Sequence, residues 1–365
     1  MTFDKVKNKL GFGCMRLKMV DGKVDYQEFS RMIDAFIAAG FTYFDTAHPY
    51  IGGQSETALR DCLVSRYNRE EFVLANKLSV WCFEKEADIL PLFESQLTAC
   101  GVDYFDFYLF HSVTKAFYEK FTSCNAFAIV QNLKKQGKIK HIAMSFHDTA
   151  DILDQILTEH PYIEAVQLQF NYLDYDDPGV QSKACYDVAV KHGKKVMIME
   201  PVKGGALVNL PDKAAHVLDE LNGGSYASYA LRFAASFPEV FMVLSGMGNM
   251  EMMQDNINTF SDFVPFSAEE FTATDRVREI IREVRQIPCT ACGYCTEDCP
   301  KDIPIPEIFS AYNPFLSAKT TRGGVKEALP KGKPLAGDCI QCGKCEKRCP
   351  QNIEIRKHLE EIAKL

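Results

Sequence analysis

The 365-residue chain contains no run of about 18 apolar residues, the length a membrane-spanning helix requires. Its first residues, MTFDKVKNKL, lack the apolar core of a secretory signal, so a cytoplasmic, reducing setting is expected. Basic charge is also short: 41 Lys and Arg face 49 Asp and Glu, a net charge of −8. Phosphate contacts need a basic surface, which excludes a nucleic-acid-binding body. No low-complexity tract is present. The Gly-x-Gly-x-x-Gly fingerprint of an open dinucleotide-binding sheet is missing, because Gly11 and Gly13 are followed by Cys14 and Met15. No short flavin motif is found either, although a barrel can hold FMN without one.

Cysteine, by contrast, is abundant and unevenly placed. Of 14 cysteines, Cys14, Cys62, Cys82, Cys100, Cys124 and Cys185 are scattered, and eight crowd the last 77 residues. In a reducing compartment such clustering indicates metal binding or catalysis, not a disulfide framework. The scattered six sit in apolar or helical contexts and are expected to pack as small hydrophobes.

From residue 10 to about 260, short β-branched or aromatic runs alternate with amphipathic stretches. Strands are expected at 10–17, 42–47, 72–78, 105–112, 139–146, 165–171, 195–202 and 240–247. Several are apolar almost throughout, as parallel strands buried on both faces are. Helices are expected between them, for example at 26–40, where Phe29, Met32, Ile33, Phe36 and Ile37 form one stripe before Gly40. Eight such alternations predict a (β/α)8 barrel over 1–265; an open doubly wound sheet is the alternative. A charged connecting helix over 266–288 follows, then a cysteine-rich domain over 289–365.

That domain carries CTACGYCTEDCP (289–300) and CIQCGKCEKRCP (339–350), both C-x2-C-x2-C-x3-C-P. Three close thiolates can wrap three corners of a cuboidal iron–sulfur cluster, while the cysteine before proline completes the other one. The expected ligand sets are Cys289, Cys292 and Cys295 with Cys349, and Cys339, Cys342 and Cys345 with Cys299. Structural zinc usually takes well-separated C-x2-C pairs instead. The module resembles two-cluster bacterial ferredoxins. Its 39-residue spacer, and the helical look of PIPEIFSAY and NIEIRKHLEEI, favour a mostly helical variety.

Barrel chemistry sits at the C-terminal ends of the strands. Asp45, Lys77 and His111 stand there in turn, with Tyr50 in the loop after Asp45. A phenol near its ordinary pKa is a poor acid at neutral pH; a nearby ammonium favours the phenolate and makes it a better one. Lys77 can supply that charge and Asp45 can hold it, so Tyr50 can give a proton to a carbonyl oxygen that His111 orients. At the eighth strand, Gly246, Gly248 and Asn249 of SGMGN open a helix whose first amides can hold a phosphate. In MEPVKGG, Pro201 precedes Lys203, which can supply a cation.

DTAHPY, ANKL and FHS, with VQLQFN and GMGNMEMMQDN, resemble the aldo/keto reductase family over residues 10 to about 260. With the cysteine motifs, the chain is similar to members carrying a fused 4Fe–4S ferredoxin domain. The resemblance implies NAD(P)H-dependent interconversion of a carbonyl and an alcohol. It implies Tyr50 as acid/base, Lys77 and Asp45 as its tuners and His111 as substrate orienter. It places Ser145 and Gln167 at the nicotinamide amide, and Asp255 and Asn256 at the position of the pair that meets adenine. The chain departs from the family pattern in three places: Phe146 follows Ser145 where Asn is usual, and Gly246 and Met252 stand where basic residues often meet the NADP 2′-phosphate. NADP and NAD therefore both stay open.

Three roles for the whole remain: a reductase whose clusters lie off the catalytic path, a ferredoxin-linked reductase passing electrons from a carrier protein to a flavin or substrate in the barrel, and a non-catalytic electron carrier. The substrate loops 48–56, 79–86, 112–124 and 172–178 hold Trp81, Phe83, Phe117, Tyr118 and Tyr172, which suggests a partly aromatic pocket for a small molecule.

Overall fold

The computed structural model of the protein describes Val6 and residues 8–317 and 319–365. Eight parallel strands close into a barrel: β1 (Leu10–Gly13), β2 (Tyr43–Asp45), β3 (Val73–Ser79), β4 (Phe105–Val113), β5 (Ile139–Phe146), β6 (Ala165–Gln169), β7 (Lys195–Met199) and β8 (Val240–Ser245). β8 returns to β1 with Leu10 opposite Val243. The expected barrel is thus present. The apolar runs overshoot some strands: β7 stops at Met199 because Glu200 turns the chain with φ of 54°.

The two-residue period of a strand decides what fills the barrel. Tyr43, Ala75, Phe107, Leu109, Ala143, Ala165, Met197 and Met242 point inward and pack together. Large and small residues alternate, so the interior is full. At Gly11 a Cβ would stand 2.6 Å from both Leu244 and Met242 side chains, so this wall position has room for glycine alone. One step along from this layer, the same inward alternation brings up Asp45, Lys77, His111, Ser145 and Gln167.

The surrounding helices start and stop for local reasons. Helix Tyr26–Ala38 is capped by Asp25, whose carboxylate accepts from the Glu28 amide at 3.1 Å, and buries Phe29, Met32, Ile33 and Phe36. Several elements were not expected from the sequence, among them helices Gln54–Leu59, Asp212–Asp219 and Arg322–Ala328. A small hairpin pairs Met19–Val20 with Lys23–Val24 across Asp21-Gly22, both left-handed at φ 51° and 75°. The segment 112–124 is mostly helix (Lys115–Ser123), not open loop.

The chain divides into two compact units that are not consecutive in sequence. One holds residues 1–201 and 223–271; the other holds 202–222 and 272–365. Among its described residues the second unit is helical: its helices include Asp212–Asp219, Ile305–Leu316, Arg322–Ala328 and Ile355–Ala363.

The second unit is a repeat with an offset of 50 residues. Left-handed backbone recurs at Ala291, Gly293 and Asp302 (φ 53°, 84°, 51°) and at Gln341, Gly343 and Asn352 (59°, 75°, 52°). Cys295, Ile303, Ile305 and Phe309 share one buried core with their counterparts Cys345, Ile353, Ile355 and Leu359. Arg348 ties the halves together, donating to Asp298 at 2.5 Å and to Glu297 at 2.9 Å with its side chain only 9% exposed.

Segment 202–222 joins this unit at a close approach. A Cβ on Gly204 would lie 2.5 Å from the Thr290 carbonyl oxygen, and Gly204 is left-handed at φ 63°. Gly204→Ala is therefore expected to cost more than the roughly 1–2 kcal/mol of a left-handed alanine alone. Thermal unfolding should show a lowered midpoint; an unchanged one would contradict the packing.

Candidate active site and cysteine cavities

At the C-terminal end of the barrel the Lys77 ammonium sits at 1% residue exposure among three acceptors. It donates to Asp45 Oδ1 at 2.5 Å, to the Thr46 carbonyl at 2.8 Å and to the Tyr50 hydroxyl at 3.1 Å. Strand register explains the meeting. Asp45 is opposite Ala75, and Lys77 is the next inward position along β3. Tyr50 is folded back by a tight turn, Ile51, Gly52 and Gly53 all being left-handed. Burial lowers the pKa of Lys77 and raises that of Asp45, each opposed by the charge of the other.

His111 completes the group. Its ring is 5.9 Å from that of Tyr50, and its Nδ1 hydrogen-bonds Ser79 Oγ at 2.7 Å. Trp81 packs on His111 at 5.0 Å, with Phe117 6.2 Å beyond. The other expected pocket aromatics lie elsewhere. Tyr172 is fully buried beside Phe233, Tyr118 hydrogen-bonds Glu159 and His160, and Phe83 packs on Phe121.

A buried polar chain supports Lys77 from behind. His48 Nδ1 meets Glu56 Oε2 at 2.8 Å, and Glu56 Oε1 accepts from Asn76 at 2.8 Å. Gln96 donates to both Asn76 Oδ1 and the Lys77 carbonyl, and accepts from Tyr108. None of these residues was singled out in the sequence: His48 and Glu56 fall in the 48–56 loop, and Asn76, Gln96 and Tyr108 read there as ordinary helix or strand positions.

The expected cofactor residues have mixed surroundings. Ser145 Oγ accepts from the Ser112 amide at 2.8 Å, and the neighbouring Gln167 is buried opposite it on β6. Asn249 caps helix Met250–Ser261 by accepting from the Met252 amide at 2.9 Å. Gly246 is pressed by Arg16, whose Cδ lies 3.3 Å from where a Cβ would stand, and Gly248 borders the Arg16 carbonyl. Arg16 also meets Glu200 at 3.3 Å. Arg16 stands just past β1, far in sequence from the eighth strand and from Lys203, where the sequence reading placed the cofactor's basic contacts. Asp255 accepts from Ser225, Asn256 donates to Ser245, and Glu28 accepts from the Met250 amide. Pro201 ends the first unit's segment, and the buried Lys203 belongs to the second unit. His147, beside Ser145, is held down at about 4 by desolvation.

In the second unit, two cavities of nearly equal size are lined by the eight cysteines. One, of about 320 Å³, is bordered by Cys289, Cys292, Cys295 and Cys349. The other, of about 330 Å³, is bordered by Cys339, Cys342, Cys345 and Cys299. Each draws its fourth cysteine from the opposite motif, and isoleucine and proline form half of the remaining walls. Burial raises the thiol of Cys345 to about 11 and pushes Cys295 and Cys349 up as well. Such thiols ionise when a metal centre supplies positive charge, so the donor sets suit a cluster. The scattered cysteines are buried, except for the half-buried Cys82.

Residues 9–279 match the aldo/keto reductase family, and residues 288–354 match the 4Fe-4S dicluster domain. The chain belongs to the aldo/keto reductase family and carries a C-terminal 4Fe-4S dicluster domain; it is an oxidoreductase. It is similar to aldo-keto reductase str7 of Strobilurus tenacellus, 25% identical over 250 residues, 65% of this chain and 70% of that protein. It is also similar to the uncharacterized oxidoreductase YqkF of Bacillus subtilis, 24% identical over 70% of this chain and 88% of that one. Among solved structures, the holo form of aldo-keto reductase AKR11C1 from Bacillus halodurans overlays with a TM-score of 0.61 at 22% identity, covering 74% and 91% of the two chains. An aldo-keto reductase from Klebsiella pneumoniae in complex with NADPH gives 0.58 at 22%, covering 74% and 90%. At such identity these two establish the shared fold.

The His48–Glu56 contact generates a pH prediction. The Glu56 carboxylate raises the His48 pKa above 6.5. Its stabilising effect is fully present below about 6.5 and is lost as pH rises through the raised value. Urea midpoints should therefore fall modestly from about pH 5.5 to about pH 8.5, and Glu56→Gln should flatten that part of the profile. An equally steep fall in the variant would exclude this pair as its source.

Proposed function

We propose that the barrel reduces a carbonyl substrate, or oxidises the alcohol, with Tyr50 as general acid/base, and that the second unit holds two 4Fe–4S clusters. The observation that carries the first half is the Lys77 ammonium, bonded at once to the Asp45 carboxylate and the Tyr50 hydroxyl. A bound NADPH or NADH would supply the hydride.

The residues then act as follows. With Ser79 Oγ–H donating to Nδ1 of His111, Nε2 carries the proton and can donate to the carbonyl oxygen. Trp81 and Phe117 keep the neighbourhood apolar. As the carbonyl carbon gains hydride, its π bond opens and the oxygen takes the Tyr50 proton. The tyrosinate left behind is stabilised by Lys77, and solvent restores its proton. Ser145 and Gln167 would hold the nicotinamide amide. Gly246, Gly248 and Asn249, with Arg16 beside them, would hold the phosphates. Asp255 and Asn256 would meet the adenine, and Pro201 precedes the segment that carries Lys203. The reductase role falls within the stretch 1–265 and the cluster role within 289–365, with 266–288 connecting them in sequence, apart from 202–222, which belongs to the second unit. The crossed cysteine sets of the two cavities support the cluster half.

Tyr50→Phe should lower carbonyl turnover by about 10²–10⁴-fold while the circular dichroism spectrum stays the same. Unchanged turnover with either nicotinamide would remove Tyr50 from this role. Separately, anaerobically prepared protein should contain about eight iron and eight sulfide per chain, as two 4Fe–4S clusters require. Zinc in their place would refute the cluster half alone.

A further inference from the structure

We infer that the cavity bordered by Cys339, Cys342, Cys345 and Cys299 is the electron port of the protein, and that it takes single electrons from an acidic electron-carrier protein docking over Ile340 and Lys344. The inference rests on the two-cluster reading above and goes beyond it by making the two sites unequal.

The repeat makes the comparison direct, because every position of one motif has a counterpart 50 residues away. Thr290 is buried at 2% exposure, under Gly204 of the same unit; its counterpart Ile340 is 56% exposed. Tyr294 is buried, whereas its counterpart Lys344 is exposed. Cys292 is half-buried, whereas Cys342 is the one exposed residue of the eight cysteines. A cluster held there would present one corner at the surface beside an apolar side chain. Electron exchange between proteins depends on such close approach.

Charge separates the halves in the same sense. Residues 331–357 carry seven Lys and Arg against three Asp and Glu, while the matching 281–307 carry three against five. This basic stretch stands out in a chain of net charge −8. Some of its charge is engaged: Arg348 with Glu297 and Asp298, Arg356 with Glu346, Lys357 with Glu354, and Lys333 with Glu307. Lys344 and Lys347 remain exposed around Cys342 and Cys345. Lys301 and Arg356 also line this cavity, whereas no charged side chain lines the other. Cations next to a cluster stabilise its reduced, more negative state, so an arriving electron is favoured here. A small redox protein with an acidic face and an exposed one-electron centre complements this rim in charge and in its apolar point of contact. The step is a single electron transfer: the carrier is oxidised by one electron, the cluster is reduced by one, and no bond is made or broken.

The test uses the anaerobic holoprotein with a pre-reduced acidic plant-type 2Fe–2S ferredoxin as probe, following cluster bleaching by stopped flow. Wild-type bleaching should slow steeply as salt is added. The double variant Ile340→Glu/Lys344→Glu should bleach at least about tenfold more slowly, as loss of electrostatic steering predicts. Lys326→Glu, a charge reversal elsewhere in the unit, should match wild type, and dithionite should bleach all three proteins alike. Equal rates for the double variant and wild type, or equal rates for the acidic ferredoxin and a basic carrier, would overturn the inference. Iron and sulfide contents, measured first, separate that result from failure of the two-cluster reading itself.

Discussion

An ammonium taken out of water must find acceptors inside the protein or give up its proton. Lys77 meets that demand with a carboxylate, a backbone carbonyl and a phenol. The rest of the barrel mouth follows from it. Asp45 is tolerable at 3% exposure because the ammonium faces it. Tyr50 is drawn inward as the third acceptor, and its loop bends through consecutive left-handed residues to bring it there. The chain His48–Glu56–Asn76–Gln96 then fixes the strand from which Lys77 projects. Removing one charge of the pair would strand the other in a low-dielectric interior, the costly way to break a buried ion pair.

Much of this arrangement was readable in advance, for a geometric reason. A strand in a closed barrel has one inward face with a period of two, so a polar residue in step with Tyr43, Ala75 or Phe107 must stand at one end of the interior. Asp45, Lys77, His111, Ser145 and Gln167 obey that rule and could be located by counting. Side chains that depend on loops could not. Arg16, Trp81 and Tyr172 all lie past strand ends, where no period constrains direction. Trp81 turns to His111 while Tyr172 turns into the core. The hairpin at Asp21-Gly22 carries a turn signal, but its strands are two residues long and mostly exposed, too short to show a two-residue period. The helix at 115–123 was read as loop because its buried residue, Phe121, is alone on its inner face.

The cysteine motifs were legible for the opposite reason: their spacing alone constrains a three-dimensional object. Two further features of that unit needed the structure. One is the depth of the repeat, which extends past the cysteines into backbone conformation and core packing. The other is the unequal burial of its ends, the charge difference being already present in the sequence. A sequence repeat suggests equivalence, yet burial and charge divide the halves into a covered, mildly acidic one and an exposed, basic one. Pseudo-symmetry supplies the scaffold, and departures from it carry the distinction between the sites.

The path of the chain bears on how its two units can be recombined. Segment 202–222 departs from β7, serves the cysteine-bearing unit, and returns for the last strand of the barrel. The second unit is thus written in two separate stretches of the gene, one of them inside the barrel's own. Exchanging the C-terminal stretch between relatives without the internal segment would therefore divide a folded body.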